Sequence, residues 1–326
     1  MKRLCTVVLA AGAVLAGCAA PADLDGEVGG PAGAALGPAP TAAPGQVATP
    51  VVVDTDLGAD DLVALGFLLR HPGVHVEAVT IAATGLVGCD PGVELVAAVF
   101  EQFAVPAVPV ACGRGTAVGD ARALPAAWRA AAAAGSGLTP VAGAVTPAPE
   151  PAPQLIADTA RRVEDLVVVA LGPMTNLADL ATQHADDYAR LGAVQAMGGS
   201  VAGPVVDGVA EWNAAADPES FATVLATAVP LTIVPEDAIP LGTPDALDGP
   251  VVGRVSAVAG IPAWWDLATA GAVLAPRAGR VEVGQWVLDP SAPGRLRKVG
   301  VGDVRVYRSL DPAPLEAQYS RAFATA

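Results

Sequence analysis

The sequence predicts an α/β fold built on a largely parallel sheet, and three observations predict it. Short β-branched runs alternate with helical apolar patterns from Val51 onward, which is the rhythm of βαβ units. The runs Val51 to Val53 and Leu166 to Leu171 are apolar throughout, as strands covered on both faces require. No repeat period interrupts this rhythm, and 277 of the 326 residues follow position 49, enough for one large domain with a well-buried core.

Met1-Lys2-Arg3 is a charged start, and Leu4 to Leu15 is an apolar run too short to span a bilayer, so residues 1–18 read as an export signal. Leu15-Ala16-Gly17-Cys18 resembles a bacterial lipobox, which would leave Cys18 as a lipidated first residue; a plain secretory signal cut near Ala19 is the simpler alternative. Residues 19–49 are Ala, Pro and Gly with almost no large apolar side chain, and are expected to form a flexible tether. The domain then occupies residues 50–326.

After the Val51 strand come a helix at Leu62 to Arg70, a strand at Val74 to Ala83, a helix at Val93 to Phe103 and a strand at Val108 to Cys112. Ala130 to Pro153 is Ala-, Gly- and Pro-rich and reads as a surface excursion, with Trp128 just ahead of it as an aromatic within reach of a site. Later strands are expected at Leu166 to Leu171, Val194 to Met197, Leu231 to Val234, Val281 to Leu288 and Val304 to Tyr307. Gly172-Pro173 opens a helix after the first of these, because Pro is well placed at a helix start.

A net charge of -15 leaves no basic patch for nucleic acid or anionic lipid. Membrane contact is expected only through the lipid, and a homo-oligomer is compatible with the sequence. Cys89 and Cys112 are the pair left after the signal; export permits a disulfide between them, and two buried thiols fit equally well.

Chemistry concentrates at the end of the first strand, in Asp54-Thr55-Asp56-Leu57-Gly58-Ala59-Asp60-Asp61. Helix capping explains one or two of these carboxylates. Four on one turn repel one another unless a cation or a polyhydroxylated ligand sits among them. The loop after a strand's carboxyl end is also where open α/β sheets bind ligands. A calcium loop of the EF-hand type fails, since Ala59 and Leu65 occupy its Gly and Glu positions. An aspartyl-phosphate hydrolase is a weak match, because Lys298 is the only lysine beyond Lys2.

The turn resembles the Asp-x-Asp-x-Gly-x-Asp-Asp signature of the nucleoside hydrolases at every defined position, through Asp54, Asp56, Gly58, Asp60 and Asp61. Further resemblances follow in order: Gly172-Pro173-Met174-Thr175-Asn176, Met197-Gly198-Gly199, Glu211-Trp212-Asn213 with Asp217-Pro218-Glu219, and Trp265-Asp266-Leu267-Ala268. They cover about Val51 to Ala268. Together they imply a three-layer, Rossmann-like domain that hydrolyses the N-glycosidic bond of ribonucleosides.

The resemblance implies Ca²⁺ held by Asp56, Asp61, Asp266 and the carbonyl of Thr175, with Asp56 as general base for a water. It places Asp60, Glu211 and Asn213 on the ribose, Trp265 against the base, and Asp54 in support beneath the loop. Asp237 is a less apt ligand than Asp266. The family pattern has His where Trp265 stands, and Trp before the Asp is the form of the purine-preferring members, so a purine nucleoside is the expected substrate. Leu86 stands where many relatives carry an Asn near the ribose. The absent His also leaves a different expectation open, a calcium-dependent nucleoside or sugar receptor without turnover.

Overall fold

The computed structural model describes residues 36–323 apart from 44, 120, 248 and 250, so the signal, the lipobox and Cys18 lie outside the described residues. The chain begins with β1 (Thr49–Thr55), α1 (Ala59–Arg70), β2 (Val74–Ile81), α2 (Cys89–Gln102) and β3 (Val110–Cys112). Two helices follow, α3 (Ala126–Ala133) and α4 (Ala152–Arg162), then β4 (Val167–Ala170), α5 (Thr175–Gln183), α6 (Ala185–Tyr188) and β5 (Ala193–Met197). The remainder is α7 (Trp212–Ala216), α8 (Pro218–Leu225), β6 (Leu231–Val234), α9 (Val252–Ala259), α10 (Trp265–Leu274), β7 (Gly279–Leu288), β8 (Leu296–Leu310) and α11 (Pro312–Phe323).

The strands form one sheet of order β3-β2-β1-β4-β5-β6-β8-β7. Every pair is parallel except β7 with β8, so the expected largely parallel sheet is what forms. Alternation along β1 explains why it is apolar throughout. Val51 and Val53 enter a core shared with α1, α2, α10 and α11, while Val52 enters a second core shared with α4, α5 and α8. Helices therefore cover both faces, giving three layers.

Strand order runs outward from β1 to β3 and then, starting again at β4, outward in the other direction. The neighbours β1 and β4 are the switch point, and their carboxyl ends diverge into loops on opposite faces. That crevice receives Asp54-Thr55-Asp56 from one side and Leu171-Gly172 from the other.

Two expectations are corrected. The tether is packed at its end: Leu36 is buried in the core, and the Gly37 carbonyl accepts Arg70 Nη1 at 3.0 Å. Leu36 is a large apolar side chain in a stretch otherwise poor in them, and it finds cover. The excursion from Ala130 to Pro153 is not wholly irregular: it includes the second half of α3 and the first two residues of α4, whose buried Leu155, Ile156, Thr159 and Ala160 follow just beyond it at helical spacing. Among the described residues no helix is long and apolar enough to cross a membrane.

Cys89 and Cys112 form a disulfide, joining the start of α2 to the end of β3 across a sequence separation of 23. Closing a loop of that length stabilises the fold by about 3 kcal/mol in the chain-entropy picture.

Candidate metal and substrate site

Asp56 follows β1, and Leu57 then takes a left-handed backbone conformation (φ 64°) that turns the chain into α1. A buried non-glycine residue in that region is strained, and the turn holds it there through the Leu57 N–H to Thr55 Oγ1 bond of 3.1 Å. Asp61 locks the turn. Its Oδ1 accepts from Thr55 Oγ1 at 2.6 Å and from Asp56 N at 3.2 Å, and its Oδ2 caps α1 by accepting from Gly58 N at 3.1 Å. Capping is thus real for Asp61, and it aims the carboxylate at its neighbours.

Carboxylate oxygens of Asp60, Asp61 and Asp266 lie within 4.8 Å of one another. Asp266 comes from the first turn of α10, 206 positions from Asp60, and its backbone N–H donates to Asp60 Oδ2 at 3.2 Å. Asp266 Oδ1 is buried with no protein partner. Burial first, and then repulsion from Asp61, pushes Asp60 up to about 6; burial with the same crowding holds Asp56 and Asp266 well above the usual carboxylate range. Such a cluster is stable in its ionised form only with a cation, and the orphaned Asp266 oxygen and the all-oxygen donors fit a hard divalent ion.

Asp56 lies beside this trio. The turn after β2 grips it: Leu86 N donates to Asp56 Oδ2 at 3.0 Å and Val87 N to its carbonyl at 3.2 Å. Gly85 and Gly172 press on it from two sides, so that a Cβ on Gly85 would lie 2.1 Å from Asp56 Oδ2 and one on Gly172 2.8 Å from Asp56 Cβ. Gly85→Ala is therefore expected to displace the Asp56 carboxylate, lowering metal affinity at least tenfold in a terbium luminescence titration. Affinity within twofold of the parent protein would show that Asp56 does not need this packing.

Beneath the site Asp54 is fully buried. Its Oδ1 accepts from Thr80 Oγ1 at 2.6 Å and Asn176 Nδ2 at 2.7 Å, tying β1 to β2 and α5. Burial raises it to about 6 against those two bonds.

Thr175 lies where the turn after β4 enters α5, and its hydroxyl donates to Asp217 Oδ2 at 2.7 Å. The β4–α5 turn also carries the Leu171 carbonyl, which accepts Asn213 Nδ2 at 2.7 Å.

Glu211 is largely occupied by backbone. It caps α7, with Oε1 accepting from Asn213 N at 2.7 Å and Oε2 from Ala214 N at 2.9 Å and Gly199 N at 2.6 Å. It ties the Met197-Gly198-Gly199 turn to α7. Asn213 uses its Nδ2 on Leu171 and on Met197 Sδ, which leaves its Oδ1 without a partner among the described residues. Trp265 is half-buried at the start of α10, whereas Trp264 is core. Asp237 is exposed and accepts from Val201 N and Ala202 N, both at 2.7 Å, apart from the cluster. Glu236 beside it is half-buried and pushed up to about 7 by burial and by Glu211. Trp128 packs edge-on against Trp212 with centroids 5.4 Å apart.

Sheet and carboxylates together define an α/β protein with an oxygen-lined cation site at its topological switch point. The profile of the inosine-uridine preferring nucleoside hydrolases matches residues 51–274, and the chain belongs to that family. It is 29% identical over 196 residues to the pyrimidine-specific ribonucleoside hydrolase RihA of Salmonella paratyphi B, an alignment covering 57% of this chain and 60% of that relative. The fold is similar to an inosine-uridine preferring nucleoside hydrolase from Bacillus anthracis (TM-score 0.68, 22% identity, 84% of this chain and 98% of that one). It is also similar to a purine-preferring ribonucleoside hydrolase from Gardnerella vaginalis (TM-score 0.71, 19% identity, 84% and 97%). At these identities the likeness establishes the fold.

Proposed function

We propose that the protein hydrolyses the N-glycosidic bond of ribonucleosides in a calcium-dependent reaction, with a preference for purines. The observation that carries this reading is the buried Asp60, Asp61 and Asp266 cluster with Asp56 beside it, at the switch point of a chain of this family.

Asp60, Asp61, Asp266 and Asp56, with the Thr175 carbonyl, would hold the ion. Calcium suits an all-oxygen set that must also admit sugar hydroxyls. When bound, the ion supplies positive charge that acidifies water and polarises those hydroxyls.

The rest belongs to this chain's residues. Leu86 N–H holds Asp56 Oδ2, so Oδ1 is the atom that takes a proton from the attacking water. The water oxygen joins C1′ of the ribose as the C1′–N bond breaks, through an oxocarbenium-like transition state, and the departing base, which leaves with the bonding pair, takes its proton from solvent water. Asn213 Oδ1 accepts from a ribose hydroxyl. Glu211 Oε1 accepts from Asn213 N at 2.7 Å and has a further lone pair for another hydroxyl. Trp265, half-buried at the start of α10 beside Asp266, stacks on the base and sets its preference. We also propose export with a lipid anchor at Cys18; the Cys89–Cys112 disulfide suits an oxidising compartment.

The test is release of reducing sugar from inosine, guanosine, adenosine, uridine and cytidine, with calcium and with chelator. Calcium-dependent release that is faster from purines is expected. Binding of ribosides without release would overturn the hydrolase in favour of a receptor, and faster release from uridine would overturn the purine preference.

A further inference from the structure

A chain of polar side chains runs alongside the carboxylates and takes no part in the reaction above. Thr84 Oγ1 lies 2.8 Å from Thr175 Oγ1, which donates to Asp217 Oδ2 at 2.7 Å. Arg114 Nη2 lies 3.7 Å from the same Asp217 oxygen, and the guanidinium bonds Asp179 at 2.8 and 3.3 Å. These residues come from four segments, each following a different strand: Thr84 after β2, Arg114 after β3, Thr175 after β4 and Asp217 after β5.

The side chain of Asp217 is completely buried. A carboxylate there needs partners, and it has the Thr175 hydroxyl, the Ser220 N–H at 3.2 Å and the Arg114 charge. An ionised carboxylate only accepts, so the single Thr175 proton is directed at Asp217. Thr175 must then accept from Thr84. The proton order is fixed from one end: Thr84 to Thr175 to Asp217, with Arg114 holding the negative terminus.

Thr84 opens the turn whose Leu86 and Val87 N–H groups grip Asp56. The far end of that turn is tied by the disulfide of Cys89 to Cys112, two residues before Arg114. At the near end the Gly85 N–H bonds the Ala82 carbonyl at 2.9 Å, and the Thr84 hydroxyl adds the side-chain tie there.

We propose that Asp217, Arg114 and Thr84, acting through Thr175, are positioning residues that hold the 84–88 turn in register and so set the placement of Asp56. The proposal rests on the reading of Asp56 as part of the metal site. Asp217 caps α8 as well, so its sequence context conceals this second duty.

The experiment compares the full-length protein with Thr84→Val, Thr84→Ser, Asp217→Asn and the Thr84→Val/Asp217→Asn double variant. Terbium luminescence gives metal affinity, and hydrogen exchange by mass spectrometry follows residues 84–88. Thr84→Val and Asp217→Asn are each expected to weaken affinity about tenfold and to speed exchange in that turn at least tenfold. Thr84→Ser retains parental values, and the double variant is no worse than the poorer single one. Thr84→Val within twofold of the parent in both readouts, or effects that multiply in the double variant, would overturn the proposal. If Asp217→Asn does not fold, the half-buried Thr84 pair decides alone. A parent protein that binds terbium but cleaves no nucleoside removes the hydrolase reading and leaves this comparison intact.

Discussion

Asp56→Asn is expected to lower kcat for nucleoside hydrolysis by about three orders of magnitude, within the range for loss of a positioned general base. The amide preserves the shape that Gly85 and Gly172 enclose, and its oxygen can still accept the Leu86 N–H. What is lost is the ability of the other atom to take a proton from water. Binding and catalysis separate in the measurement: terbium affinity reports Asp56 as a ligand, and kcat at saturating calcium reports it as a base. A fall of less than tenfold in kcat at saturating metal would remove the base assignment. A loss of metal affinity alone would leave Asp56 as a ligand only.

Much of this was legible in the sequence because the signals are local. Val51 to Val53 followed by an Asp-rich turn and an apolar helix specifies a strand, a ligand loop and a buried helix without tertiary information. Asp266 was found through a resemblance, and the structure brings it to Asp60 across 206 positions. What escaped was the part carried by backbone atoms and by packing. The Leu86 N–H and the Leu171 carbonyl have no side-chain signature. Glu211 reads as a sugar ligand from its type, yet three backbone N–H groups claim its oxygens. Asp217 reads as a helix cap, and it is one, but the cap also meets Thr175.

The same crowding of charge predicts how calcium acts on stability. In the metal-free protein Asp60 titrates at about 6 instead of the ordinary 3.8, and Asp56 and Asp266 are displaced in the same direction. A carboxyl whose folded pKa is raised favours the folded state at pH values below its unfolded pKa, and that contribution is lost as pH rises through the folded value. For Asp60 alone the loss between pH 4 and pH 7 is on the order of 3 kcal/mol. A bound divalent ion reverses the penalty, because it stabilises the ionised forms.

The Tm increment produced by calcium is therefore expected to be small near pH 4.5 and to rise through pH 6. It should reach a plateau of about 5 °C at neutral pH when calcium is about 100-fold above its Kd. His71 works in the opposite sense, since burial lowers it to about 4 and the metal-free fold gains stability as pH rises past that value. Taking the difference between calcium and chelator at each pH cancels His71 and isolates the cluster. Scanning calorimetry from pH 4.5 to 8 gives the curve, and Asp266→Asn should flatten it. An increment that does not change with pH would mean that the ion is held elsewhere than among these carboxylates.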